Sequence, residues 1–264
     1  MIRKILKEII PVKFLEERGF LYKYDKDRIL SLKDKFQGKR CFIIGNGPSL
    51  NKIDLNLITD EYTFGVNGIF YKTAEMGFKP FFYVVEDSHV INDNIKSIND
   101  YDCEYKFFPV EYKRKINITS NTYLFNLNRS FYEKRSTNYK KPQFSFDCEQ
   151  RIYGLGSVTM INLQLAFYMG FKEVYLIGMD FNYKIPDSAV VNGLDILSNS
   201  DDVNHFHPEY FGKGKKWHDP DLEQVLLSYQ KMKEVFEKNG RKIWNATKGG
   251  KLEIFERIDY DKLF

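Results

Sequence analysis

Cys41-Phe-Ile-Ile-Gly45-Asn-Gly-Pro-Ser-Leu50 is the stretch that decides the fold. Four apolar residues in a row, without alternation, predict a short strand buried on both faces, as in a parallel sheet covered by helices on each side. A turn with two glycines follows at once, and Ser49 or Asn51 can cap a helix through Leu57. Strand, glycine turn and helix form the opening unit of a parallel α/β sheet.

The alternation continues outward from that unit. Upstream, the charged segment 25–35 reads as a helix and Gln37-Gly-Lys-Arg40 as the turn feeding the strand. Downstream, 62–66 and 81–85 read as strands with a helix near 70–76 between them, and 105–108 and 123–125 as two more strands. Residues 156–170 predict a mostly buried helix, 173–177 another continuous apolar strand, and 219–239 a long amphipathic helix leading through Gly240 into Lys242-Ile-Trp-Asn245. Between them, 182–216 lapses into Pro, Gly, Ser, Asn and Asp, which at this length implies a lid, a binding loop or a partly disordered segment. The expected architecture is α/β and Rossmann-like, a mostly parallel sheet flanked by helices. It comprises a nucleotide-binding domain over 37–264 with a lid at about 182–218, and a helical appendage over 1–36.

Composition bounds the function. The chain has 264 residues, 43% hydrophobic and 29% charged, which excludes a disordered or low-complexity protein. Its net charge of +4 comes from interspersed signs, so no nucleic-acid partner is expected. Three separated cysteines carry no metal-ligand spacing and fit a reducing cytoplasm. The most apolar window, 158–171, is interrupted by Asn162 and Gln164 and is too short to span a membrane. Ile2, Ile5, Leu6, Ile9 and Ile10 against Arg3, Lys4 and Lys7 form a basic amphipathic helix. Residues 2–15 then either touch an anionic membrane surface from the cytoplasmic side or pack on the protein itself or a sister subunit. Phe and Tyr are in surplus, 23 and 18 against 2 Trp. An AT-rich genome accounts for part of this. Phe181, Tyr183, Phe206, Tyr210, Phe211 and Trp217, in or beside the long loop, can wall a sugar or base.

In open α/β sheets ligands bind outside the carboxyl ends of the strands. Five such ends carry small or polar residues: Gly45-Asn-Gly-Pro-Ser49, Asn67-Gly68, Glu86-Asp-Ser88, Gly178-Met-Asp-Phe181 and Asn245-Ala-Thr247. Gly45 and Gly47 allow close backbone approach, and the N–H groups opening the next helix can meet a phosphate. Asn67 can hydrogen-bond a phosphate, ribose or base or cap the following helix, and Asp180 can bind a hydroxyl or a metal or cap a turn. Arg151 can pair a phosphate bidentately. His205, His207 and His218 sit in or just after the loop, where a histidine can act as general base near neutral pH. His205-x-His207 lacks a third ligand for zinc at any metal spacing, and no DxD pair has a metal-site context, so a metal-independent reaction is expected. Lys213, Lys215 and Lys216 add charge to the same loop.

Together, Gly45-Asn-Gly-Pro-Ser-Leu50, Phe64-Gly-Val-Asn67, Leu155-Gly-Ser-Val-Thr-Met160 and Gly170-Phe-Lys-Glu-Val-Tyr-Leu-Ile-Gly-Met-Asp180 resemble the 6-hydroxymethylpterin diphosphokinase-like proteins of bacterial polysaccharide clusters. Asn204-His-Phe206, Tyr210-Phe-Gly-Lys-Gly214 and Gly249-Gly-Lys-Leu-Glu-Ile-Phe255 extend the resemblance over about 36–264. Across about 40–245 the chain is more distantly similar to small bacterial sialyltransferases that use a CMP-activated sugar without a metal-binding DxD. That similarity implies nucleotide contacts at Asn46, Gly47, Ser49, Asn67, Arg151 and Ser157. Asn182 stands where those enzymes carry a tyrosine that helps the phosphate leave, with Tyr183 one step later, and Glu86 replaces an asparagine. His205 matches a histidine of their Asn-Ser-His-Tyr segment, which leaves His207 or His218 as the base the resemblance implies.

Three functions follow as expectations. The first is a glycosyltransferase-like enzyme transferring a nucleotide-activated sugar, of CMP-sugar type, to a glycan or lipid-linked acceptor, with no cofactor required. The second is an ATP-dependent diphosphokinase, which needs Mg²⁺ to offset charge on the triphosphate. The third is a non-catalytic nucleotide-binding subunit, and homo-oligomers suit any of them.

Overall fold

The computed structural model describes residues 26–193 and 195–264. The amphipathic segment at 2–15 lies outside them. A short helix α1 (Lys26–Leu30) leads into β1 (Arg40–Ile44), β2 (Thr63–Val66), α2 (Thr73–Met76) and β3 (Phe82–Val84). Then come α3 (Ser88–Asp93), α4 (Ile95–Asp100), β4 (Tyr105–Pro109), β5 (Thr122–Phe125), and a small pair, β6 (Leu127–Asn128) with β7 (Ile152–Tyr153). Helix α5 (Val158–Tyr168) and β8 (Glu173–Ile177) follow, then β9 (Val190–Asn192), β10 (Asp195–Leu197) and β11 (Lys216–His218). Helix α6 (Leu222–Lys238) and β12 (Lys242–Asn245) end the series of major elements.

Seven strands form one sheet in the order β12-β8-β1-β2-β3-β4-β5, and every pairing in it is parallel. The continuous apolar runs are explained by this arrangement, because alternate side chains enter two separate cores. Cys41, Ile43, Phe64, Val84, Val174 and Leu176 pack on one face, against α5, α6 and α1. Phe42, Ile44, Tyr83, Tyr175 and Ile177 pack on the other, against α3, α4, the short turns and the lid. Helix α5 is buried all round, as expected of a helix apolar on every side. Its Gln164 earns its place by four hydrogen bonds, accepting from Ser145 N and Tyr153 N and donating to Tyr153 O and Met160 O. Residues 26–36 lay Ile29, Leu32 and Phe36 into the first core, with the Phe36 ring stacked 5.1 Å from Phe171.

Two expectations change. The helix anticipated from Ser49 to Leu57 is a pair of 3₁₀ turns, Pro48–Lys52 and Leu55–Ile58, the second capped by Asp54. The long loop is partly ordered as a three-stranded antiparallel sheet, β11-β10-β9. Its strands are three residues each, too short to print a period-two pattern. Among the described residues no helix is long and apolar enough to cross a membrane.

Strand β1 leads to β2 on one side and is paired with β8 on the other, so the chain reverses direction across the sheet at the β1/β8 junction. The two segments expected to meet a ligand, after β1 and after β8, therefore emerge side by side at the switch point where such sheets bind ligands.

Candidate functional site

A cleft of about 980 Å³ opens at the carboxyl ends of the strands, lined by the ends of β1, β2, β3 and β8, the start of α5 and the lid. Gly45, Asn46, Gly47, Asn67, Ser157, Asp180, Tyr183, His205 and His218 all line it. Ser49, Arg151 and His207 do not.

The glycine turn is built for close approach to the neighbouring strand end. A Cβ at Gly47 would lie 1.9 Å from Asp180 Oδ2 and 2.7 Å from Gly178 O. Asp180 is drawn in because it caps the 3₁₀ turn: Ser49 N donates to its carboxylate at 3.2 Å and Ser49 Oγ at 2.6 Å. The N–H expected to meet a phosphate is thus already satisfied, and Ser49 is buried beneath the cleft floor. The helix that does present its amino end to the cleft is α5, whose N-cap Ser157 is neutral and whose first turn holds no acidic residue. By contrast α3 and α6 are capped by Asp87 and Asp221, which use up their N-terminal charge.

Asn46 is 8% exposed, and its Nδ2 donates to Val66 O at 2.9 Å and to Tyr210 Oη at 2.8 Å. Because Val66 O only accepts, these contacts fix the amide orientation. Its Oδ1 is left buried with no partner, an acceptor that an amino or hydroxyl group of a ligand would satisfy. Asn67 takes a left-handed conformation (φ 45°), and its Oδ1 accepts Glu86 N at 3.3 Å.

The lid is bonded to the turn itself. Phe206 N donates to Asn46 O at 2.8 Å, Asn51 Nδ2 to Phe206 O at 3.0 Å, and Gly68 N to Tyr210 Oη at 3.2 Å. Phe206, Tyr210, Phe211 and Trp217 are buried and help seat the lid, while Tyr210, Phe211 and Trp217, with Phe181 and Tyr183, also line the cleft. On Tyr210 lies His205, its ring stacked 4.1 Å away and 3° from parallel. His205 Nδ1 is 2.7 Å from Asp202 Oδ2, which leaves Nε2 as the ring nitrogen for the cleft. Burial alone would lift the Asp202 carboxyl. Hydrogen bonds from His205, Asn204 N and Phe211 N outweigh that and hold it below the usual carboxylate range. Tyr183 borders His205 edge-on at 6.2 Å. Its surface is 41% open, but to the inside of the cleft, where lost solvation and then the carboxylates of Asp202, Asp180 and Asp87 push the phenol up to about 12.

The three loop histidines separate here. His207 stacks on Tyr71 at 4.9 Å and accepts Glu209 N, so it shares no ligand geometry with His205. His218 stands at the cleft margin, its Nε2 3.3 Å from Asp195 Oδ1, with the His89 ring 4.4 Å from its own. Lys215 is spent on Tyr71 Oη and Glu209 O.

Sequence reasoning missed Arg129. Its guanidinium reaches Glu86 and Glu111 at 2.5 Å each, and all three residues line the cleft. Burial pushes the Glu86 carboxyl up, and Arg129 brings it only part of the way back. The partners are 43 and 18 residues from Arg129, so no local pattern announces the cluster. Arg151 instead precedes β7, its carbonyl accepting Ser145 Oγ at 2.6 Å.

Comparison with known proteins agrees with this architecture. No curated protein matches the chain by sequence. Among solved structures, the chain is similar to the MAf glycosyltransferase from Magnetospirillum magneticum AMB-1, at a TM-score of 0.51 and 13% identity, a likeness of fold. It covers 91% of this chain and 39% of that one, so this chain spans well under half the length of its neighbour. The turn after β1, the strand β8 and the aspartate that joins them all fall within residues 15–186. Those residues match the family model of the 6-hydroxymethylpterin diphosphokinase MptE-like proteins, and it is to this family that the chain belongs.

Proposed function

We propose that the protein is a glycosyltransferase-like enzyme that binds a nucleotide-activated sugar, of CMP-sugar type, in this cleft and transfers the sugar to an acceptor hydroxyl. The observation that carries the reading is the continuous contact Asp202–His205–Tyr210–Asn46, which places an imidazole oriented by a carboxylate beside the glycine turn. The donor phosphate sits at the amino end of α5 near Ser157, where the helix dipole favours an anion. Asn46 Oδ1 accepts from the nucleoside. His205 Nε2 takes the acceptor hydroxyl's proton as the oxygen attacks the anomeric carbon and the bond to phosphate breaks. Asp202 fixes the imidazole tautomer and offsets the imidazolium charge that forms. The Tyr183 phenol, protonated at neutral pH, donates to the leaving phosphate. The acceptor, a glycan or lipid-linked sugar of surface polysaccharide assembly on the resemblance described above, enters on the Arg129 side.

A diphosphokinase is the second reading, and the family's name supports it. Such an enzyme needs free carboxylates to hold Mg²⁺ on a triphosphate. In this cleft Asp180 caps Ser49, Asp87 caps α3, and Glu86 and Glu111 hold Arg129, which favours the transferase. Thermal shifts with CMP, CDP, UDP, GDP and ATP, each with and without Mg²⁺, separate the two. Stabilisation by CMP or CDP without metal, with His205→Ala retaining binding and losing turnover, is the expected result. Stabilisation by ATP only with Mg²⁺ would replace the transferase with the kinase.

A further inference from the structure

We propose that His89, Asp195 and His218 form a binding site for a transition-metal dication of the zinc class, which fastens the lid sheet to the core. The three side chains come from three elements: the first turn of α3, β10 and β11. Antiparallel pairing sets Asp195 directly opposite His218, and α3 brings His89 over them, its ring tilted 35° to that of His218. One ligand atom from each lies within 4.8 Å of the others.

The two separations from the carboxylate fit edges of a coordination polyhedron and exceed those of charge-assisted hydrogen bonds. His218 Nε2 and His89 Nε2 lie 3.3 and 3.6 Å from Asp195 Oδ1. A charge-assisted hydrogen bond would draw such atoms to about 2.7–2.9 Å. Bonds of about 2.0–2.1 Å from zinc to nitrogen or oxygen give a tetrahedron with edges of about 3.3–3.4 Å. An independent observation points the same way: His89 Nε2 is buried and has no hydrogen-bond partner, so its lone pair or proton is unspent. Two imidazoles and one carboxylate suit zinc and its neighbours, whereas Mg²⁺ and Ca²⁺ select oxygen ligands. His218 and Asp195 are half exposed, which gives an ion a path in and leaves a coordination position for water or a substrate oxygen. Because β10 and β11 belong to the lid and α3 to the core, an ion here ties one to the other. The proposal does not depend on the transferase reading, since metal binding is measured without turnover.

The test uses the full chain, free of any affinity tag and stripped with chelator, titrated calorimetrically with ZnCl₂ and followed optically with Co²⁺. The expected result is one ion per chain with visible Co²⁺ bands. At zinc one hundredfold above Kd, Tm should rise by about 5–10 °C. Zinc should also slow tryptic cleavage at Lys184, Lys213, Lys215 and Lys216. Half-exposed His218→Ala and Asp195→Ala should fold and lose the ion, while His205→Ala should keep it. Absence of saturable binding, or stoichiometric binding that survives both substitutions, would overturn the site. Unchanged proteolysis in saturating zinc would overturn the fastening.

Discussion

Asp202 is the residue on which the proposed chemistry and the seating of the lid meet, and its replacement separates them. The carboxylate is 3% exposed on its side chain and accepts three hydrogen bonds, from His205 Nδ1 and Asn204 N at 2.7 Å and from Phe211 N at 2.9 Å. Asp202→Ala deprives two backbone N–H groups of their partner and leaves His205 held by ring contacts alone, with Tyr210, Phe211 and Tyr183. At about 1–3 kcal/mol for each polar group left unpaired, the loss should be about 3–5 kcal/mol. Asp202→Asn keeps one acceptor oxygen and, in either amide orientation, fails one of the N–H groups, so about half that loss is expected. Neither variant supplies the negative charge that offsets an imidazolium, so kcat should fall by about 10²- to 10⁴-fold in both, with KM little changed. Urea denaturation and steady-state kinetics read the two effects on the same preparations. The pH dependence has a fixed sign. The folded Asp202 carboxyl ionises below its ordinary 3.8, so its contribution is present above that pH and is lost as pH falls through the folded value. The stability gap between wild type and Asp202→Asn should therefore narrow below pH 3.8. Asp202→Asn with wild-type kcat, or Asp202→Ala with wild-type stability, would refute the reasoning.

Two further substitutions test the frame around the cleft. Gly47→Ala forces the Asp180 carboxylate off Ser49 while Gly178 O, being backbone, cannot yield; a loss of about 3–5 kcal/mol, or about 10 °C in Tm, is expected by thermal denaturation, and a change below 1 °C would sink the account of the turn. Asn162, fully buried in α5, has neither amide atom partnered, so Asn162→Leu should raise Tm by about 2–4 °C after the strain of a larger side chain; a fall would mean that a buried water serves the amide.

The sheet was legible because burial on both faces writes itself as unbroken apolar runs such as Phe42-Ile-Ile44 and Val174-Tyr-Leu-Ile177. The position of the cleft was legible for the same reason, since it lies where those runs end. What neighbours share across space was not. Ser49 looked available until Asp180, 131 residues on, was seen to take its N–H. Arg129 and His89 sit alone in sequence and acquire meaning only from Glu86 and Glu111, or from Asp195 and His218. Spacing likewise does not distinguish His205, His207 and His218: lid folding stacks His205 on Tyr210 beside Asp202, lays His207 on Tyr71 and sets His218 against Asp195.

The cleft draws Asn46, Glu86, Arg129, Ser157, Asp180 and His205 from six separate stretches of the chain, each delivered by a different part of the fold. No single element of the fold supplies more than one of them. A ligand gripping these residues therefore binds the whole folded sheet or nothing, and its free energy adds to the global unfolding transition instead of protecting one local segment. Hydrogen exchange would register occupancy most strongly in the slowest amides of the buried inner strands β1, β2 and β3, and not at the mouth where the ligand enters.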